Sequence, residues 1–359
     1  MPGETPSIVT LRPTIRVGGR EHERITELLL AMRLVEAEAG MSGLELRLLD
    51  VASDPEGGAD DAFDDEQIVQ LGSAIEVYSG EEDAPQEIFR GKVTAIEYVR
   101  DEASPPEITL HAEDALQKAR LVRRTRVIED ASIADVATQV AQAAGLTPQI
   151  TGLGDNLGTL VQLDESDLAF LRRLLARHGA DMQVVGQDLQ VAPRQDVQRG
   201  TVSLEHGADL LAVRIVADLA DQANEVTVTG WDPAQGTRVT GRSDGSGLGP
   251  GRGRTGASIL EEKFARRSEH LGQLAAVSTD AEAQAVASAA LARRARRFVR
   301  VDGKAQGNPA LRVGTHVQLA GLPDRWNNTY YVVRAEHRFD RVAGYQTLFE
   351  AESAYLGEV

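Results

Sequence analysis

The sequence predicts a mainly β chain with an α/β insert: two tube-like β-barrel modules related by an internal repeat, plus a small helical α/β domain. Three observations carry this. Short runs with apolar residues at every second position fill the first and last thirds of the chain. Between about residues 130 and 180 the period changes to that of a helix. Segments of the first β region then recur, in order, in the last.

A strand is expected around Thr14 to Val17, and the alternation Leu44, Leu46, Leu48 marks another with one buried face. ASDPEGGADDAFDDE, residues 52–66, is acidic with little to bury and reads as an exposed loop. SAIEVYSG, EIFRGKVTAIEYV and PEITLHAED follow as strands separated by turn residues. In SIADVATQVAQAAG, Ile133, Val136, Val140 and Ala144 fall at helical spacing, with Ser132 as N-cap and Gly145 as stop. A second helix carries Leu168, Leu171, Leu174 and Leu175 as its apolar stripe, with Asp164 or Ser166 as cap, and ends at Gly179. MQVVGQDLQVAP then reads as two short strands around a Gly-Gln turn. GRSDGSGLGPGRGRTG, residues 241–256, reads as flexible, and STDAEAQAVASAALARRARRF, 278–298, as a helix with acids at its start and arginines at its end. Strands return from 308 to 355. The expected division is 1–118, first β module; 119–198, α/β domain; 199–359, second β module with a Gly-rich and helical insertion at about 233–305.

The repeat sets LLAMRLV (29–35) on LLAVRIV (210–216), an offset of 181 that matches Ala31 with Ala212 and Arg33 with Arg214. At almost the same offset Asp50 falls on Asp232. GSAIEVYSG (72–80) matches GTHVQLAGL (314–322), KVTAIEYV (92–99) matches VVRAEHRF (332–339), and ITLHAEDA (108–115) matches QTLFEAESA (346–354), at offsets of 242, 240 and about 238. A chain with two copies of one module lets a trimer present six similar elements in a ring, and so join three-fold to six-fold partners.

Composition narrows the function. The 359 residues contain no cysteine, which removes disulfides, thiolate metal sites and cysteine nucleophiles together. The 55 acidic residues against 38 basic give a net charge of −17, which opposes general adhesion to nucleic acid or anionic membrane. No apolar run approaches the ~18 residues that span a bilayer. The N-terminus lacks the pattern of a signal peptide, so assembly in the cytoplasm is expected.

Side chains with chemical potential have structural readings. Asp164, Glu165 and Asp167 stand where a helix start favours carboxylates, and His178 at the far end where a cation is favoured, at least ~15 Å away along the axis. GRGRTG, 251–256, fits GxGxxG but follows a Gly-Pro run rather than a strand, and the seven histidines show no metal-ligand spacing. The basic runs ARLVRRTR (119–126) and ARRARRFVR (292–300) are read as interface or solvated arginines before phosphate contacts, and Trp231 and Trp326 as packed core. No catalytic, cofactor-binding or metal residue is expected.

LDESDLAFLRRLLARHGADMQV (163–184) resembles the "ESD…FL.RLL…G" segment of the phage late control protein D family, which includes the hub portion of VgrG proteins and the baseplate hubs of contractile tails. NEVTVTGWDP (224–233) and the closing NPALRVGTHVQLAGL, YYVVRAEHRF and GYQTLFEA extend the resemblance over roughly residues 10 to 355. It implies a non-enzymatic homotrimeric hub of a phage tail or phage-like injection particle. Its partners would be a trimeric spike protein, hexameric inner-tube proteins and other baseplate proteins, with no cofactor, no required nucleic acid and no stable membrane association. VgrG chains usually continue into an OB-fold and a β-helical spike; this sequence stops at Val359, so the spike is expected to be a separate chain. A particle-associated peptidoglycan hydrolase is the alternative.

Overall fold

The computed structural model describes residues 9–53, 59–63, 68–81, 84–245, 247–271 and 277–358. Strands hold 48% of the residues against 20% in helices, so the fold is mainly β, with the expected α/β unit between its two β regions. The first region runs β1 (Val9–Val17), β2 (Arg20–Glu21), α1 (Glu23–Leu28), β3 (Leu29–Ala37), β4 (Gly43–Leu49), β5 (Ala52–Ser53), β6 (Ala59–Asp60), β7 (Ala74–Glu81), β8 (Ala84–Val99) and β9 (Glu107–Glu113). Next come α2 (Gln117–Arg120), β10 (Arg123–Ile128), α3 (Ile133–Ala144), β11 (Thr147–Ile150), β12 (Leu160–Ser166), α4 (Asp167–His178), β13 (Ala180–Val185) and β14 (Asp188–Pro193). The last region holds β15 (Thr201–Glu205), β16 (Leu210–Ala217), β17 (Glu225–Asp232), β18 (Thr237–Ser243), β19 (Arg254–Thr255), α5 (Gly256–Lys263), β20 (Ser268–Leu271) and α6 (Asp280–Arg296). It closes with β21 (Val299–Gln306), β22 (His316–Ala320), β23 (Thr329–Asp340), β24 (Gly344–Ser353) and β25 (Tyr355–Leu356).

Both β regions lie in one 13-stranded sheet, whose path is β16-β21-β24-β23-β3-β4-β9-β8-β7-β1-β2, with β22 on β23 and β15 on β22. The two copies are therefore legible in the order itself: β3-β4-β9-β8-β7 matches β16-β21-β24-β23-β22. Registers agree residue by residue. Leu29 and Leu210 both precede a bulge, after which Ala31 pairs Arg47 as Ala212 pairs Lys304, and Arg33 pairs Glu45 as Arg214 pairs Asp302, so the offset of 181 holds. Gly72 donates to the Val93 carbonyl at 2.8 Å as Gly314 donates to that of Val332 at 2.9 Å, so the offset of 242 holds as well.

Two matches change. Val93 and Val332 both precede a bulge, after which Ala95 and Arg334 resume pairing, which sets β8 on β23 and β9 on β24 at an offset of 239. The slip of one residue matters because it exchanges the two faces of a strand. Asp50 and Asp232 do not occupy matching places: β4 corresponds to β21, and the chain between β16 and β21 instead forms β17, β18 and β20, with α6 packed on them through Val226, Val228, Ala283, Ala287 and Leu291.

The expected helices form for the expected reasons. Ser132 and Asp135 make a reciprocal capping box on α3, and Gly145 closes it in the left-handed region. Ser166, rather than Asp164, caps α4, its Oγ accepting from the Ala169 amide at 3.2 Å. Leu168, Leu171, Leu174 and Leu175 face Ile133, Val136 and Val140 of α3, over a three-stranded sheet in which β11 adds in parallel to the β13–β14 hairpin. Within the 52–66 loop, Ala62 and Phe63 are buried in the first core, and the Phe63 amide donates to Asp50 at 3.0 Å; residues 54–58 and 64–66 of that loop lie outside the described residues. No described helix is long and apolar enough to cross a membrane.

One pair of equivalent positions shows how the copies fill the same space differently. Leu46 opposes Leu110 in the first copy; Gly303 opposes Phe349 in the second, and a Cβ on Gly303 would lie 2.2 Å from the Phe349 ring. Gly303→Leu should therefore lower stability in urea unfolding by about 1–3 kcal/mol through overpacking. Adding Phe349→Leu, which copies the Leu-Leu pair, should restore most of the loss.

Candidate assembly surface

The acidic cluster and the first basic run neutralise each other. β10 lies antiparallel to β12, which brings Arg123 to 3.5 Å from Asp164, and Arg124 and Arg126 to 3.1 and 3.2 Å from Asp167. Arg173, nearly two turns into α4, holds Glu165 at 3.0 Å. His178 lies at the other end of α4, half-buried, and burial together with the Arg177 charge keeps it below the ordinary imidazole range. Structure thus brings together the carboxylates and the arginines, and keeps the histidine apart.

The arginines of α6 act as brackets to three other elements. Arg293 donates to the Ala176 carbonyl near the end of α4 at 2.7 Å, and Arg294 reaches Glu269 of β20 at 2.5 Å. Arg296 reaches Glu38, just past β3, at 3.0 Å and Glu352 of β24 at 3.2 Å. Arg194 also bonds Glu38, and its guanidinium lies 3.7 Å over the Tyr331 ring. These charges are spent on holding the α/β unit, α6 and the large sheet together. Glu38, Arg194, Arg293 and Arg296 line a cleft of about 510 Å³ that also includes His178 and Gly247. A glycosidase needs two carboxylates about 5–9.5 Å apart; Glu38, held by two arginines, is the one carboxylate in this lining. No group of three or more metal-ligating side chains occurs among the described residues.

The Gly-rich segment, expected to be flexible, is strapped to the chain's own C-terminal strands. β19 pairs with β25, the Ser353 hydroxyl donates to the Pro250 carbonyl at 3.1 Å, and Asn328 exchanges hydrogen bonds with Arg252 at 3.1 and 2.9 Å. Gly251 and Gly253 have positive φ and leave no room for a Cβ, which would lie 2.5 Å from Ser353 Oγ and 2.2 Å from the Leu356 carbonyl. Close approach, rather than looseness or a pyrophosphate, is what these glycines serve. Trp231 departs from the expected core position: it is 58% exposed, because on β17 Val226 and Val228 take the face toward α6 and Trp231 has the opposite parity. Trp326 packs, partly buried, against the core of the second copy.

What remains open is the large sheet. Its polar face carries charge pairs along and across strands: Arg33 of β3, with Arg334 and Arg338 of β23 itself, converges on Glu336 at 2.8, 2.8 and 2.6 Å, with Arg47–Glu107 at 3.3 Å and Arg214–Asp302 at 3.0 Å beyond. Among the strand edges that have no partner in the described residues are β16, at one end of the path, and residues 94–99 of β8, past the point where β7 stops pairing. Ile96, Tyr98 and Val99 on the one, and Leu211 on the other, are exposed. Periodicity marked both segments as strands, but nothing local marks a strand as an edge.

Burial pushes the Glu336 carboxyl up, and hydrogen bonds from Arg33 and Arg338 more than reverse it, so it lies below its usual 4.5. A carboxylate lowered in the fold contributes stability above its unfolded value and loses it as pH falls. Glu336→Gln should accordingly be less stable than the parent chain at pH 7, and the gap in denaturation midpoint should close as pH drops below about 4.

The fold has solved counterparts. It is similar to the 43 kDa tail protein of prophage MuSo2 from Shewanella oneidensis, at 14% identity and a TM-score of 0.68, covering 95% of this chain and 97% of that one. It is similar to the tail protein from Neisseria meningitidis MC58, at 13% identity and a TM-score of 0.66, covering 96% and 99%. It is also similar to the E. coli c3393 protein, a component of the type VI secretion system with structural similarity to the T4 tail proteins gp27 and gp5, at 11% identity and a TM-score of 0.59, covering 96% and 79%. No curated protein matches the sequence. A family model described as the Alg8 N-terminal domain matches residues 45–340, which is most of the chain, and the protein belongs to that family.

Proposed function

We propose that the chain is a structural hub of a contractile tail or phage-like injection particle, a homotrimeric adapter between a hexameric inner tube and a central trimeric spike. The observation that carries this reading is the register-matched repeat, two copies of one module set edge to edge in a single sheet. Three such chains supply six equivalent modules, the number a hexameric tube requires, while keeping the three-fold symmetry of a spike. The solved tail proteins of the same fold, and the type VI secretion component among them, support a role in such a particle.

In this reading the chain divides into 1–118, 119–198 and 199–359, and the end of β16 at Ala217 supports an interpolated part of the second module that begins near residue 218, earlier than the expected 233. The β modules form the ring, and the α/β unit braces it through the Glu38 network. The hub supplies rigidity and symmetry matching without chemistry of its own. It assembles in the cytoplasm with spike, tube and other baseplate proteins before joining the particle.

Native mass measurement of the chain, alone and co-expressed with a candidate spike protein, tests the proposal. The expected result is a trimer, or a complex of three chains with three spike chains. A monomer under both conditions overturns it.

A further inference from the structure

The geometry points to the surface through which two copies meet: the open edge of β8, residues 96–99, pairs antiparallel with the open edge of β16 of a neighbouring copy, with Tyr98 opposite Ile215 and Val99 opposite Arg214. This rests on the adapter reading and names its interface.

The argument is internal to the chain. Within one molecule β23 pairs antiparallel with β3, setting Ala335 opposite Glu36, His337 opposite Leu34 and Arg338 opposite Arg33. By register, β8 is the counterpart of β23 and β16 the counterpart of β3, including the bulge in each strand. The contact made by β23 and β3 inside the molecule has an unmade twin: β8 of one copy against β16 of another. Carrying the register across sets Ile96 opposite Ala217, Glu97 opposite Val216, Tyr98 opposite Ile215 and Val99 opposite Arg214.

Burial follows the same logic. Met32, Leu34 and Glu36 are buried under the β23 seam, whereas their counterparts Val213, Ile215 and Ala217 are half-buried or exposed. Ala335, Glu336 and His337 are buried, whereas Ile96, Glu97 and Tyr98 are exposed. Charge also fits. Arg33 donates to Glu336 diagonally across the internal seam at 2.8 Å; their counterparts, Arg214 and Glu97, have side chains 74% and 61% exposed and stand on the same diagonal of the proposed seam. An apolar strand edge of this kind is a template for another strand. A second copy of this chain is the occupant because it carries the complementary edge at the matching register.

Because each copy offers one edge of each type, the contact is head-to-tail and propagates until it closes. The chain has no cysteine, so engineered thiols report without background. Two adjacent pairs are made, Val99→Cys with Arg214→Cys and Tyr98→Cys with Ile215→Cys, since one of two neighbouring antiparallel pairs has the closer, non-hydrogen-bonded geometry. Val99→Cys with Ile215→Cys, whose thiols fall on opposite faces, is the out-of-register control. All four positions are on open edges, and circular dichroism checks that each variant folds.

Mild oxidation should link chains through at least one in-register pair, giving a ladder that ends at three chains, and leave the control unlinked. Tyr98→Asp should retain the parent spectrum and lose the trimer. A parent chain that is trimeric by native mass but yields no in-register link, or links the control equally, overturns this pairing and leaves the adapter reading standing. A parent chain that stays monomeric and unlinked overturns both.

Discussion

The structure depends on the antiparallel seam between β3 and β23, where strands some 300 residues apart in sequence exchange their backbone hydrogen bonds. Without it each β region would end in an open edge. With it the core of the first region extends over Phe339 and Tyr345 of the second. The seam buries polar groups as well, and most find partners, although the second ring nitrogen of His337, Nε2, has none among the described residues. Glu36 accepts from Arg312 at 2.6 Å, and His337 meets the Tyr345 hydroxyl at 2.7 Å. Burial, reinforced by the nearby Arg312 charge, holds His337 down at about 3, so the ring is neutral and serves as a hydrogen-bond partner. A protonated imidazole here would stand uncompensated against that guanidinium.

A chain of net charge −17 still uses its arginines inward. Arg194 and Arg296 bridge Glu38 to Glu352 at the meeting of α6, the α/β unit and β24. Removing one member of such a buried set leaves an uncompensated charge, which is why networks of this kind fix relative positions more than they add net stability. Such fixing holds the units in one arrangement, where domains joined by small interfaces otherwise move by default.

Much of the fold was legible locally. Ser132, Ser166 and Gly145 are caps and stops whose function is completed within a few residues, and the leucine stripe of α4 needs nothing beyond its own period to define its buried face. The repeat was legible too, because Leu29–Val35 and Leu210–Val216 keep the same strand with the same bulge. The candidate surface was legible only as strands. Ile96 and Tyr98 alternate with Glu97 as any half-buried strand would, and whether the apolar face is covered by the same chain or left open is decided by distant segments.

The sequence by itself therefore determined the element types, their caps, the existence of two related modules and the absence of cysteine chemistry. Tertiary structure alone decided the partners: that β21 rather than β17 stands in for β4, that β8 and β23 align at 239, that Trp231 points outward, and that the Gly-rich segment is strapped down. The reason is physical. Capping and periodicity are contacts within a few residues, so the local chain encodes them. Strand pairing closes loops of tens to hundreds of residues, and the entropy of closure rises only slowly with length. The segment between β16 and β21 could therefore be interpolated at small thermodynamic cost, leaving no local mark on the strands that pair across it.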